Sequence, residues 1–145
     1  MNVLSLLIAG LLVSIAGLHL TWGLGATWPA RTEADLIRTV VGDPRLRRMP
    51  GRGPTLAVAA CLCMAAAAAI LLRWPGAIPR SLVGVAGFAF ALVFTGRAIA
   101  GYVPAWRRAH PVEPFARLDR IVYSPLCLIL GLGFGVLAAA SESPA

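Results

Sequence analysis

The chain has no lysine, only six carboxylates and only two histidines in 145 residues. All 13 of its basic residues are therefore arginine. Charged residues make up 13% of the sequence, against roughly 25% in a soluble domain. With mean hydropathy at +0.80, that is too little charge to cover a water-facing surface, which argues against a single soluble core. Cysteine is also scarce. Cys61, Cys63 and Cys127 are odd in number, and the first two, at i and i+2, diverge around a helix. Neither a disulfide framework nor a Cys-x-x-Cys redox pair is present, and the three read as small apolar packing residues. No His/Glu/Asp cluster offers a metal site, and one deep histidine cannot supply both axial ligands of a haem. The expectation is no metal and no cofactor.

What the chain does have is four long apolar runs, at about 3–25, 54–72, 81–103 and 121–140. A bilayer core about 30 Å thick needs about 20 helical residues, so each run can span. The predicted fold is all-α: a single domain over 1–145, an integral membrane four-helix bundle with antiparallel up-down topology. The first run has no positive n-region and reads as a span rather than a cleaved signal. In it Gly10, Ser14 and Gly17 form a small-residue face that allows another backbone close. Pro54 opens the second span, whose alanines make a thin helix. The second loop is short and predicts that spans two and three are antiparallel neighbours. In span three, Gly87, Phe90, Phe94, Arg97 and Gly101 share one face by their steps of three and four. Gly131 and Gly135 offer span four a glycine face for another subunit or partner. The tail from Ser141 to Ala145 is expected to fray.

Arginine placement predicts orientation. The first loop holds six and the third four, against two in the second, so loops one and three are expected to be cytoplasmic and both termini outside. The net charge of +7 resides in these loops and points to anionic lipid headgroups, not nucleic acid. Within loop one, Thr32 and Asp35 form a capping signal for a short interfacial helix over about 33–41, stopped by Gly42. The basic linker from Pro44 to Gly53 reads as a topology determinant.

An up-down bundle brings the near-membrane polar residues to one leaflet. His19, Trp22, Arg97, Tyr102, Asp119, Tyr123 and Ser124 are the candidate pocket residues. A charge at depth needs a partner, so Arg97 is expected to pair with Asp119, and His19 to bond Tyr123 or Ser124. His110 reads as a solvated loop histidine. Pro125 leaves two readings open. A kinked helix from near Pro114 would align Asp119, Tyr123 and Cys127; alternatively Ser124 is an N-cap and Pro125 the first helical residue. The first is preferred, because a span from Ser124 would be short. Three functions compete: a polar pocket for a lipid-like or amphipathic small molecule, a small intramembrane enzyme with His19 as acid or base, and a structural or accessory subunit.

The stretch from Phe115 to Gly131, FARLDRIVYSPLCLILG, resembles the C-terminal signature F-x-R-L-D-x-x-x-Y-S-P-L-C-L-x-L-G of a bacterial family of small four-span membrane proteins whose function is uncharacterised. His19, Trp22 and Gly25 are similar to that family's N-terminal His-x-x-Trp-x-x-Gly element. The resemblance implies a multi-pass protein of the bacterial cytoplasmic membrane and brings no reaction. It also implies an acidic residue after the Arg-Ala-hydrophobic stretch, where this chain reads Ala100-Gly101-Tyr102.

Overall fold

The computed structural model describes residues 2–142; of the tail expected to fray, Ser141 and Glu142 instead continue the last helix, and 143–145 lies outside the described residues. Among the described residues it is all helical, without strands. The elements are α1 (Asn2–Gly23), α2 (Glu33–Val40), α3 (Arg52–Leu71), α4 (Arg80–Ala100), α5 (Pro104–Ala109), α6 (Phe115–Leu118), a π-helical turn (Asp119–Tyr123) and α7 (Ser124–Glu142). Four helices are long and apolar enough to cross a membrane: Asn2–Gly23, Arg52–Leu71, Arg80–Ala100 and Phe115–Ser141. Only 28–39% of their apolar windows is buried inside the protein, so most of the apolar side chains face outward. Outward-facing apolar surface on that scale marks contact with a partner or a membrane.

The four long helices associate as two pairs, α1 with α3 and α4 with α7. In the first, Ser5 near the start of α1 donates to the Ala69 carbonyl near the end of α3 at 2.6 Å, while Gly23 at the other end meets Leu56. In the second, Gly87 lies against Ala138 and Gly101 against Ser124. Helices α3 and α4, expected as neighbours from their short loop, touch far less than either pair; Leu72 beside Gly87 is one contact. Leu12, Leu130 and Phe134 are almost completely buried between the pairs.

Within the chain itself, neither of the two small-residue faces packs as a unit. Side chains added at Gly10 or Gly17 would meet nothing within 4 Å, because α1 packs through Ser5, Ile8, Leu12 and Ala16 instead. Gly131 packs against α4 but Gly135 opens onto free space, so they do not form one face. Cys61 and Cys63 are exposed rather than packed inside, and only Cys127 joins the core. Pro54 stands third in α3, still within the first turn where its missing N–H breaks no bond.

Loop one folds as its capping signal predicts. Thr32 caps α2, its Oγ1 accepting from the Asp35 N–H at 3.1 Å, and Gly42 at φ +70° ends the helix with its N–H on the Ile37 carbonyl. Gly42 also faces Phe115 so closely that no Cβ fits, which seats loop one on α6.

Candidate functional site

The site begins with the register of the fourth span. The residues of α7 that meet α4 run Ala138, Phe134, Gly131, Ser124: Phe134 stacks on Phe94 and lies 5.5 Å from Phe90, and Gly131 faces Thr95. Continued at α-helical spacing beyond Ser124, that stripe would turn Arg120 or Ile121 toward Arg97. The π turn prevents this. The Ser124 N–H bonds the Asp119 carbonyl, five residues back, and the extra residue brings Asp119 onto the stripe. Pro125, which has no N–H to give, follows at once and the helix continues through it. Ser124 has helical dihedrals, φ −68° and ψ −44°, so it is not an N-cap. The helix starts after Pro114 as preferred, but its irregularity is the π turn over Asp119–Tyr123, and Asp119 aligns with Ser124 rather than with Tyr123 and Cys127.

Asp119 is 3% exposed and both carboxylate oxygens are engaged. Arg97 Nη2 donates to Oδ1 at 2.7 Å, Ser124 Oγ to Oδ1 at 3.4 Å and Trp106 Nε1 to Oδ2 at 2.9 Å. The Arg97 guanidinium also lies over the Trp106 ring, 4.7 Å from its centroid. One indole thus serves both charges, its N–H to the anion and its π face to the cation. Arg97 Nη1 is buried without a hydrogen-bond partner. Gly101 allows this closeness: a Cβ there would sit 3.0 Å from Asp119 Oδ2 and 3.1 Å from Ser124 Cβ.

The two tyrosines support the same turn. Ser124 has given its N–H to Asp119 and Pro125 has none, so the Arg120 carbonyl lacks a helical donor. Tyr102 supplies one through its hydroxyl at 2.7 Å. Tyr123 donates to the Thr39 carbonyl at 3.0 Å, satisfying one of the last carbonyls of α2. His110 is half-buried, not solvated. Its ring stacks on Trp106 with centroids 4.0 Å apart, and Nδ1 lies 3.0 Å from the Trp106 carbonyl.

The structure therefore joins Arg97, Asp119 and Ser124 directly and braces them with Tyr102 and Tyr123. It does not join His19 and Trp22 to them. His19 Nδ1 lies 2.9 Å from the Ile15 carbonyl of its own helix, and Trp22 Nε1 donates to the Trp28 carbonyl at 2.7 Å. The expected bond from His19 to Tyr123 or Ser124 is absent among the described residues; a local carbonyl one turn back satisfies the ring instead. Sequence reasoning missed Trp106 and His110, the two ring systems that build the site from the third loop.

Beside this cluster lies an open cleft of about 470 Å³, lined by Trp106, Arg107, Arg108, His110, Asp119 and Arg120 among others. A second, of about 440 Å³, lies in loop one beside Arg38 and Arg47. There Arg45 is already paired: its side chain and then its backbone N–H hydrogen-bond Asp43, holding that carboxyl down at about 2. No group of three or more His, Cys, Asp or Glu among the described residues is placed to hold a metal ion.

No curated protein and no solved structure matches the chain. A family profile described as "Protein of unknown function (DUF3995)" matches residues 12–134, which takes in α3, α4, parts of α1 and α7 and the Asp119 cluster, and the chain belongs to this DUF3995 family.

Proposed function

We propose that this is a multi-pass protein of a cytoplasmic membrane, with loops one and three inside and both termini outside, that binds a lipid-like or amphipathic small molecule at the polar end of its bundle. The observation that carries the reading is the open cleft of about 470 Å³ beside the Asp119 cluster, where charged loop residues adjoin apolar helices. The ten-to-two division of arginine between the loops supports the orientation. An enzyme using His19 has less support, since His19 makes its polar contact within its own helix and both Asp119 oxygens are occupied.

A second reading is favoured by that same occupancy. The cluster ties α4, α5 and α7 together and also serves as a structural staple. The two roles are compatible, because Arg107, Arg108 and Arg120, which also line the cleft, take no part in the side-chain bonds that hold Asp119.

Native mass spectrometry of the protein released from mild detergent is expected to show a retained amphiphile. Failure to retain any lipid or detergent-like molecule overturns the pocket. In a cysteine-free background, a cysteine at position 47 should react only from the cytoplasmic side, and labelling from outside intact cells overturns the orientation.

A further inference from the structure

The cleft carries more charge than the helices need. Arg107 and Arg108 on α5 and Arg120 in the π turn border one concavity. None has a carboxylate within 4.0 Å among the described residues, where the ion pairs are Arg97–Asp119 and Arg45–Asp43. Two carboxylates line the same cleft, and only Asp119 is neutralised by an ion pair. Asp119 is held by Arg97 and Trp106, and Glu113 Oε2 accepts from the Arg117 N–H at 3.2 Å. Arg120 uses only Nε, toward the Ala116 carbonyl at 3.1 Å, which leaves its terminal nitrogens for another acceptor. Three guanidinium forks against the one unpaired carboxylate of Glu113 leave the cleft with a net positive potential.

We infer that the cleft bordered by Arg107, Arg108 and Arg120 is a binding site for the phosphate of an anionic phospholipid headgroup; this rests on the amphiphile-binding reading above. Guanidinium forks match the oxygens of a phosphodiester. The surroundings point to a lipid phosphate rather than a free one. Tyr102 and Val103 follow Gly101, Ile121 and Val122 follow Arg120, and these four side chains are 40–57% exposed. Apolar surface thus begins one residue from the cleft at two places, after α4 and in the π turn, where acyl chains would leave a bound headgroup. A zwitterionic headgroup finds less here, since its cation would meet three arginines and a single unpaired carboxylate, Glu113.

The full-length protein in neutral detergent is titrated with phosphatidylglycerol, with phosphatidylcholine of the same acyl chains, and with inorganic phosphate, and adducts are read by native mass spectrometry. Phosphatidylglycerol should be retained in clear preference to phosphatidylcholine, and inorganic phosphate should be retained weakly. Replacing Arg107, Arg108 and Arg120 by Gln one at a time should lower phosphatidylglycerol retention by about fivefold each. Arg47→Gln with Arg48→Gln in loop one should leave it unchanged. Arg108→Gln alone, at an exposed position without an ion-pair partner, keeps the test open should the Arg120 variant fail to fold. Equal retention of both lipids overturns the headgroup site and leaves the amphiphile reading standing; retention of neither overturns both. Phosphate retained as strongly as the lipid, with the same arginine dependence, overturns the lipid assignment. An equal loss from the loop-one variant overturns the site in favour of general surface attraction.

Discussion

The two helix pairs reach close approach by different means. In α1 and α3 the contact is mostly thin: Ala9, Ala16, Ala59, Ala65 and Ala69 are buried, Gly23 meets Leu56 at one end, and one serine hydroxyl crosses the gap. In α4 and α7 the helices are thick, and glycines form notches for what the partner presents. Gly87 receives Leu72 and Ala138, Gly131 receives Thr95, and Gly101 receives Ser124 and Asp119. The first arrangement is nearly apolar. The second is uneven, and only it contains an ion pair and an irregular turn. In lipid, where water cannot drive helices together, dispersion and interhelical hydrogen bonds must hold both pairs. The contrast shows that charge is admitted where backbone geometry has been altered to enclose it.

The sharpest way to break this comparison is Asp119→Asn. Removing one partner of a buried pair costs about 3–5 kcal/mol, and the lower end is expected because Arg97 is 31% exposed. Arg120→Gln should cost much less, since that side chain reaches the open cleft. Combining Arg97→Gln with Asp119→Asn should recover part of the loss, and unfolding in detergent of the parent, both single variants at 97 and 119, the double and Arg120→Gln measures this. A cycle without coupling between positions 97 and 119 would mean that Arg97 is satisfied by headgroups and that the α4–α7 pair has no special polar lock.

Next in size is the glycine notch. A Cβ at Gly131 would lie 2.9 Å from the Thr95 nitrogen and 3.1 Å from the Ala91 carbonyl oxygen, backbone atoms that cannot move aside alone. Gly131→Leu is therefore expected to cost about 1–3 kcal/mol by overpacking. Gly135→Leu, one turn on, meets nothing within 4 Å and should leave the melting temperature close to that of the parent. Equal effects at the two sites would show that the notch is not what limits the approach of α4 and α7.

Much of the α4–α7 pair is legible in the sequence. The steps from Gly87 to Gly101 identify the face that packs, and the need of a deep charge for a partner identifies Asp119. The Thr32 cap and the Gly42 stop are legible for the same reason: both are local. The phase of the fourth span is not. A pattern at 3.6 residues per turn carries no mark of a π turn, although an acid five residues before a serine that precedes proline is consistent with one. Trp106 and His110 escape because their stacking depends on where α5 lies against the bundle, which no local pattern fixes. His19 misleads for the opposite reason. A bond within its own helix satisfies it, although its depth suggests that it needs a distant partner.

The smallest effect tests the thin pair. Arg73 gives its N–H to the Ile70 carbonyl, so the Ala69 carbonyl has lost its donor at the end of α3, and Ser5 Oγ replaces it from α1 at 2.6 Å. Ser5 is fully buried, so no water takes over when the hydroxyl is removed. Hydrogen bonds between membrane helices average about 0.6 kcal/mol and reach about 1.7, and Ser5→Ala should fall in that range because it also leaves a carbonyl unsatisfied. Ser14 provides the control on the same helix. It is exposed and bonds the Gly10 carbonyl one turn back, so Ser14→Ala removes a hydroxyl without touching α3. Unfolding in detergent should separate the two variants, with the Ser5 change destabilising and the Ser14 change close to neutral. If both are neutral, the α1–α3 pair is held by alanine packing alone, and the difference between the pairs is greater than the structure indicates.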